Sequence, residues 1–155
     1  MTRRFPIIIQ TDSKSGSPRI RATTSVERLA QPSTGVERDL RAVELDYAVT
    51  LAAVKEALAQ AARPEHRHDP RAYWLAGGAI LSLLDHLSEN GFYLVRQNAT
   101  LARDLGLAEV SVRKVVAFRK RFPRISDVDP SIPWAKYRDN RVPVPGSAAS
   151  TQEQG

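Results

Sequence analysis

Between Arg96 and Arg124 the chain sets eight basic residues against two acidic ones, a local charge of +6. Most of them fall in or just beyond one stretch, "TLARDLGLAEVSVRKVVAFRKRF", residues 100–122. Cations crowded at helical spacing suit the chemistry of polyanion recognition. Ammonium and guanidinium groups neutralise phosphates, and the planar arginine fork also matches the edge of guanine. Arginine dominates, with 18 residues against five lysines. The other residues that could do chemistry point nowhere in particular. His66 and His68 fall in a polar connection, His86 is alone, and cysteine is absent. No metal-ligand spacing, nucleophile elbow, phosphate-binding glycine loop or dinucleotide glycine pattern is present. The sequence therefore predicts no metal, no cofactor and no enzymatic activity.

These cations need elements to hold them. The 155 residues suffice for one domain of ordinary size, with net charge +6. No apolar run is long enough for a membrane span and the N-terminus lacks a signal-peptide pattern, so a cytoplasmic protein is expected, nucleoid-associated if its cations bind DNA. Residues 1–35 carry six basic and two acidic groups and are rich in Ser, Thr, Gly and Pro, as in "TDSKSGSP" and "AQPSTG". They read as a flexible basic arm, with "FPIII" a short β-prone exception. From Val36 to Ala62, Leu40, Val43, Tyr47, Leu51, Val54 and Leu58 recur at steps of three and four, which predicts a long amphipathic helix. Its stripe is expected to cross the core, or in part to form a homodimer through residues 36–62. Asp69-Pro70 predicts a capped helix start and Asn90-Gly91 its end, with Gly77-Gly78 allowing close approach of another helix. "SIPWAKY" predicts a short helix presenting Trp134 and Tyr137, and residues 141–155 a disordered tail. The fold class expected is all-α: a small helical bundle over residues 36–140 with disordered tails.

Two short helices joined by a tight turn can seat the second in a major groove while the first braces it. That arrangement needs a small residue at the crossing, glycine at the turn and apolar residues beneath the second helix. In residues 97–121, Leu101 and Leu105 bury the first helix, Ala102 sits at the crossing, and Gly106 follows four residues later. Leu107 comes next, then Val112, Val115 and Phe118. On these residues the stretch resembles the helix-turn-helix family of bacterial and phage DNA-binding proteins. The resemblance implies that Glu109 to Arg121 is the recognition helix. It implies base contacts from Ser111, Arg113 and Lys114, and phosphate contacts from Arg96, Arg103, Arg119, Lys120, Arg121 and Arg124. The arm, through Arg3 and Arg4, is expected to reach a minor groove or track phosphates. Glu109 departs from the pattern, because phosphate repels a carboxylate near the groove.

A second resemblance spans more of the chain. "YWLAGGAI", "LARDLG", "VRKVVAFRKRFP" and "IPWAKY", in that order, are similar to the helical N-terminal domain of a bacterial nuclease-associated family of uncharacterised function. About 30 residues follow Pro123, too few for a nuclease sheet. The function expected is therefore duplex DNA binding, by a small regulator or accessory factor of a prokaryotic or mobile-element system. The alternative is a helical adaptor inside a nucleoprotein assembly, contacting a larger protein partner through Trp134 and Tyr137 or the Leu40–Leu58 stripe. Under that alternative "RKVVAFRKRF" is a core helix with a solvated basic side.

Overall fold

The first 35 residues overturn the all-α expectation. In the structure, a computed structural model that describes residues 3–12, 19–31, 35–66 and 69–145, they supply two strands. Strand β1 (Phe5–Asp12) pairs antiparallel with β2 (Arg19–Thr24), and β3 (Phe92–Leu94) lies parallel to β1 on its other side, in the order β2-β1-β3. The fold is mixed α/β. Alternation explains why β1 forms: Phe5, Ile7 and Ile9 are buried, while Ile8 and Gln10 face out. Pro6 offers no N–H, but its carbonyl accepts from the Thr24 hydroxyl at 2.8 Å. The flexible basic arm is thus corrected over both strands: the hairpin is stabilised by its partners, which local composition does not reveal. Residues 1–2, 13–18 and 32–34 of the expected arm lie outside the described residues.

One face of the sheet rests on two long helices. Between β2 and the first of these lies α1 (Val26–Leu29), a single turn. Helix α2 (Val36–Ala61) buries Val43, Tyr47, Leu51 and Val54 against it, and α3 (Pro70–Glu89) buries Ala76, Ile80, Leu83 and Leu87. Helix α3 begins where sequence chemistry places it. Asp69 accepts from the Arg71 N–H at 3.0 Å, Pro70 opens the helix, and Gly91 takes φ +80° just past its end. The outer edge of β2 is covered as well, because the Glu44 carboxylate accepts from the Ala22 N–H at 2.9 Å.

Beyond β3 come α4 (Gln97–Leu105), α5 (Glu109–Arg121) and α6 (Trp134–Arg138). Their apolar sides join the same continuous core as the strands, from Phe5 to Tyr137. Around Phe118 the core is aromatic: Trp134 stacks on Tyr73 at 4.3 Å, and Phe122 and Tyr137 close the cluster. Of the disordered tail expected at residues 141–155, Val142 packs against the core, and residues 146–155 lie outside the described residues. Among the described residues no helix is long and apolar enough to cross a membrane.

Candidate nucleic-acid interface

Helices α4 and α5 meet at a sharp turn. Gly106 ends α4 with φ +69°, in the left-handed region that favours glycine, and the Leu107 N–H closes the helix end on the Ala102 carbonyl at 2.9 Å. Leu101, Ala102 and Leu105 are buried under α4, and Val112, Val115, Val116 and Phe118 under α5. No side chain caps α5, so Glu109 in its first turn offsets the positive end of the helix dipole. This accounts for the residue that departed from the expected pattern.

A part-buried polar cluster ties α4 to α2 and β1. The Asp104 carboxylate, 5% exposed, accepts from Tyr47 on α2 at 2.5 Å, from Thr11 on β1 at 2.9 Å and from its neighbour Arg103 at 2.9 Å. Burial works against the Asp104 carboxylate, but the hydrogen bonds from Arg103, Tyr47 and Thr11 outweigh it and hold its pKa below the usual range. Burial, and then the hydrogen bond to Asp104, push the Tyr47 hydroxyl far above its ordinary pKa. Arg103 also donates to the Ile9 carbonyl at 3.0 Å. Its guanidinium is thereby committed to bridging α4 and β1.

The remaining cations divide by helix side. Arg113 and Lys120 are exposed, with no salt bridge among the described residues. Seven residues apart, they stand about 10 Å from each other along the axis, on one side. Between their row and that of Lys114 and Arg121 lie Val110, 43% exposed, and the half-buried Ala117. Lys114 is exposed but sits 3.9 Å from Asp139. A hydrogen bond from Arg138 holds the Asp139 carboxyl below its usual pKa, and Lys114 and Arg141 add to the effect. Ser111 is half-buried and lines a depression with Leu58, Tyr73, Leu107 and Trp134, away from the Arg113 row.

Arg119 faces inward. Its guanidinium lies 3.3 Å from the centre of the Trp74 ring and donates to the Trp74 carbonyl at 3.2 Å, and burial lowers its pKa. The paired glycines of α3 make this possible. A Cβ on Gly77 would come within 2.8 Å of both the Val115 carbonyl oxygen and the Arg119 Cβ, and one on Gly78 within 2.3 Å of the Arg119 guanidinium. Arg121 donates to the Tyr137 carbonyl at 3.0 Å, tying α5 to α6. Arg124 pairs with Asp127 at 3.1 Å. Arg96 is exposed at the start of α4 with φ +50°. Arg3 pairs with Glu27 and lies over the Phe5 ring, and Arg4 is exposed beside it.

The predicted cations therefore do not form one surface. Arg113, Lys120 and, at the margin, Lys114 share the solvent side of α5, whereas Arg103, Arg119 and Arg121 bind the protein's own carbonyls. Val110 and Ala117 lie at the centre of that side, and charge does not mark them. Their helical angle, midway between the two basic rows, was the available signal. Comparison with protein-family models, with curated proteins and with solved structures gives no match to this chain.

Proposed function

We propose that this chain binds duplex DNA through α4 and α5, with α5 entering the major groove in the manner of a helix-turn-helix. On this reading it is a cytoplasmic, nucleoid-associated regulator or accessory factor of a prokaryotic or mobile-element system, and it carries out no catalysis. The observation that supports it is the solvent side of α5, where Arg113 and Lys120 are exposed in one row beside Val110 and the small Ala117. Such a surface suits a groove: cations meet phosphate or guanine, and small apolar groups meet the thymine methyl. Arg113, nearer the helix N-terminus, takes the base-reading role, while Lys120 and Lys114 neutralise phosphate. The adaptor alternative loses its named surfaces, since Trp134 and Tyr137 are 8% and 1% exposed and the Leu40–Leu58 side of α2 faces the core.

The deciding experiment is association with random-sequence duplex DNA, followed by fluorescence anisotropy across a salt series. Wild type is expected to bind at ~50 mM salt and weaken steeply toward ~200 mM, with Arg113→Ala/Lys120→Ala reducing the logarithmic salt slope by about two. Absence of association at the lowest salt, or an unchanged slope in the variant, would overturn the reading.

A further inference from the structure

We propose that the outer face of α2 is a self-association seam on which a second copy of this chain packs antiparallel. The inner side of this 26-residue helix is occupied by the core. On the opposite side Arg38, Ala42, Leu45, Val49, Ala52, Glu56 and Ala59 follow alternating steps of four and three, and every one is exposed. Leu45 and Val49 are 66% and 61% exposed, large apolar side chains left in water on neighbouring turns. Alternating steps of this kind are the spacing by which one helix meets another along a straight seam. A polar outer face would be expected of a helix whose other side has already met its core partner.

Charge and size select the occupant and its direction. With a two-fold axis midway between Leu45 and Val49, Leu45 faces the partner's Val49 and Ala42 faces the partner's Ala52. The same register sets Arg38 against the partner's Glu56, and symmetry repeats each pairing. One register thus satisfies three layers together, apolar in the middle and oppositely charged at the ends. A parallel arrangement would set Arg38 on Arg38 and Glu56 on Glu56, with like charges facing. The Arg38 side chain is 83% exposed and pairs with Asp39 at 3.6 Å, a surface ion pair that it would exchange for the partner's Glu56 on docking. Alanine at the flanking layers lets the axes approach at the short end of the usual 8–10 Å range, and the matched stretch runs about 27 Å. The seam shares no residue with the solvent side of α5, so this inference stands apart from the DNA-binding reading.

Sedimentation equilibrium of the full chain, without nucleic acid, tests it. The mass is expected to rise with concentration from one chain toward two, within roughly 200 µM. Leu45→Glu/Val49→Glu is expected to remain at the mass of one chain with an unchanged helical circular-dichroism signal. Arg38→Glu alone should weaken association at least about tenfold, and adding Glu56→Arg should restore it. Because the chain has no cysteine, orientation is read independently: a mixture of Ala42→Cys and Ala52→Cys chains should oxidise to a mixed disulfide dimer, in preference to either chain with itself. A wild type that stays at single-chain mass throughout, a dimer that survives the double glutamate, or Ala42→Cys chains that cross-link with themselves as readily as in the mixture would each overturn the seam.

Discussion

Arg119 and Lys120 are adjacent in sequence, yet one stacks on Trp74 and the other faces water. A step of 100° around the helix separates a packing residue from a candidate binding residue. Replacing Arg119 by Ala is therefore expected to lower stability by about 1–2 kcal/mol, through loss of the ring contact and the bond to the Trp74 carbonyl. It should leave the salt slope of any DNA association unchanged. Urea denaturation beside the anisotropy series separates the two effects. Asp104 makes a second residue-scale test. Its folded pKa lies below the usual carboxylate range, so its stabilising contribution is fully present above the unfolded value of about 4 and is lost as pH falls through the folded one. Asp104→Asn should cost roughly 2 kcal/mol at neutral pH. The gap between wild type and variant should narrow on acidification below about pH 4, which thermal unfolding at a series of pH values will read.

At the scale of elements, the approach of α3 to α5 depends on one missing side chain. Helix propensity alone would make Gly77→Ala stabilising by about 1 kcal/mol. The added Cβ, however, would stand 2.8 Å from the Val115 carbonyl oxygen, which belongs to backbone and cannot swing aside. The variant is expected to be destabilised by about 1–3 kcal/mol instead. Gly78→Ala meets only the flexible end of Arg119 and should be milder. The two signs, taken from chemical denaturation, distinguish close packing from propensity. The same elements show what was legible beforehand. Asp69-Pro70 at the start of α3 and Gly106 after α4 are local signals, and each acts within a few residues of itself. The surroundings of Ser111 were not legible in that way, because the depression it lines is shared with Tyr73 and Trp134, which come from distant parts of the chain.

For the whole molecule, the hairpin matters most. Phe5, Ile7 and Ile9 are each no more than 5% exposed, and burying side chains of this size contributes about 1.5–3 kcal/mol apiece. Their sum rivals the total stability of an ordinary domain. Deleting residues 1–24 should consequently abolish the cooperative thermal transition rather than trim a dispensable arm. The loss would extend to α4, which is held by Thr11 and the Ile9 carbonyl. Differential scanning calorimetry of the truncated chain checks this, and a sharp transition near the wild-type midpoint would show the hairpin to be peripheral.

By itself the sequence determined the two long helices, the Asp69 cap that starts α3, the glycine turn between α4 and α5, and the concentration of positive charge after Arg96. All of these follow from 3.6-residue periodicity, capping chemistry and composition, which operate over a few residues. The tertiary structure alone decided that "FPIII" becomes the middle strand of a sheet, because Phe5 pairs with Phe92 and Ile7 with both Thr24 and Leu94. It also decided that Arg103, Arg119 and Arg121 turn to the protein's own carbonyls while Arg113 and Lys120 stay in water. The physical reason is common to both. Strand pairing and side-chain direction depend on partners far away in the chain, and a cation's charge says nothing about which side of its helix those partners will cover.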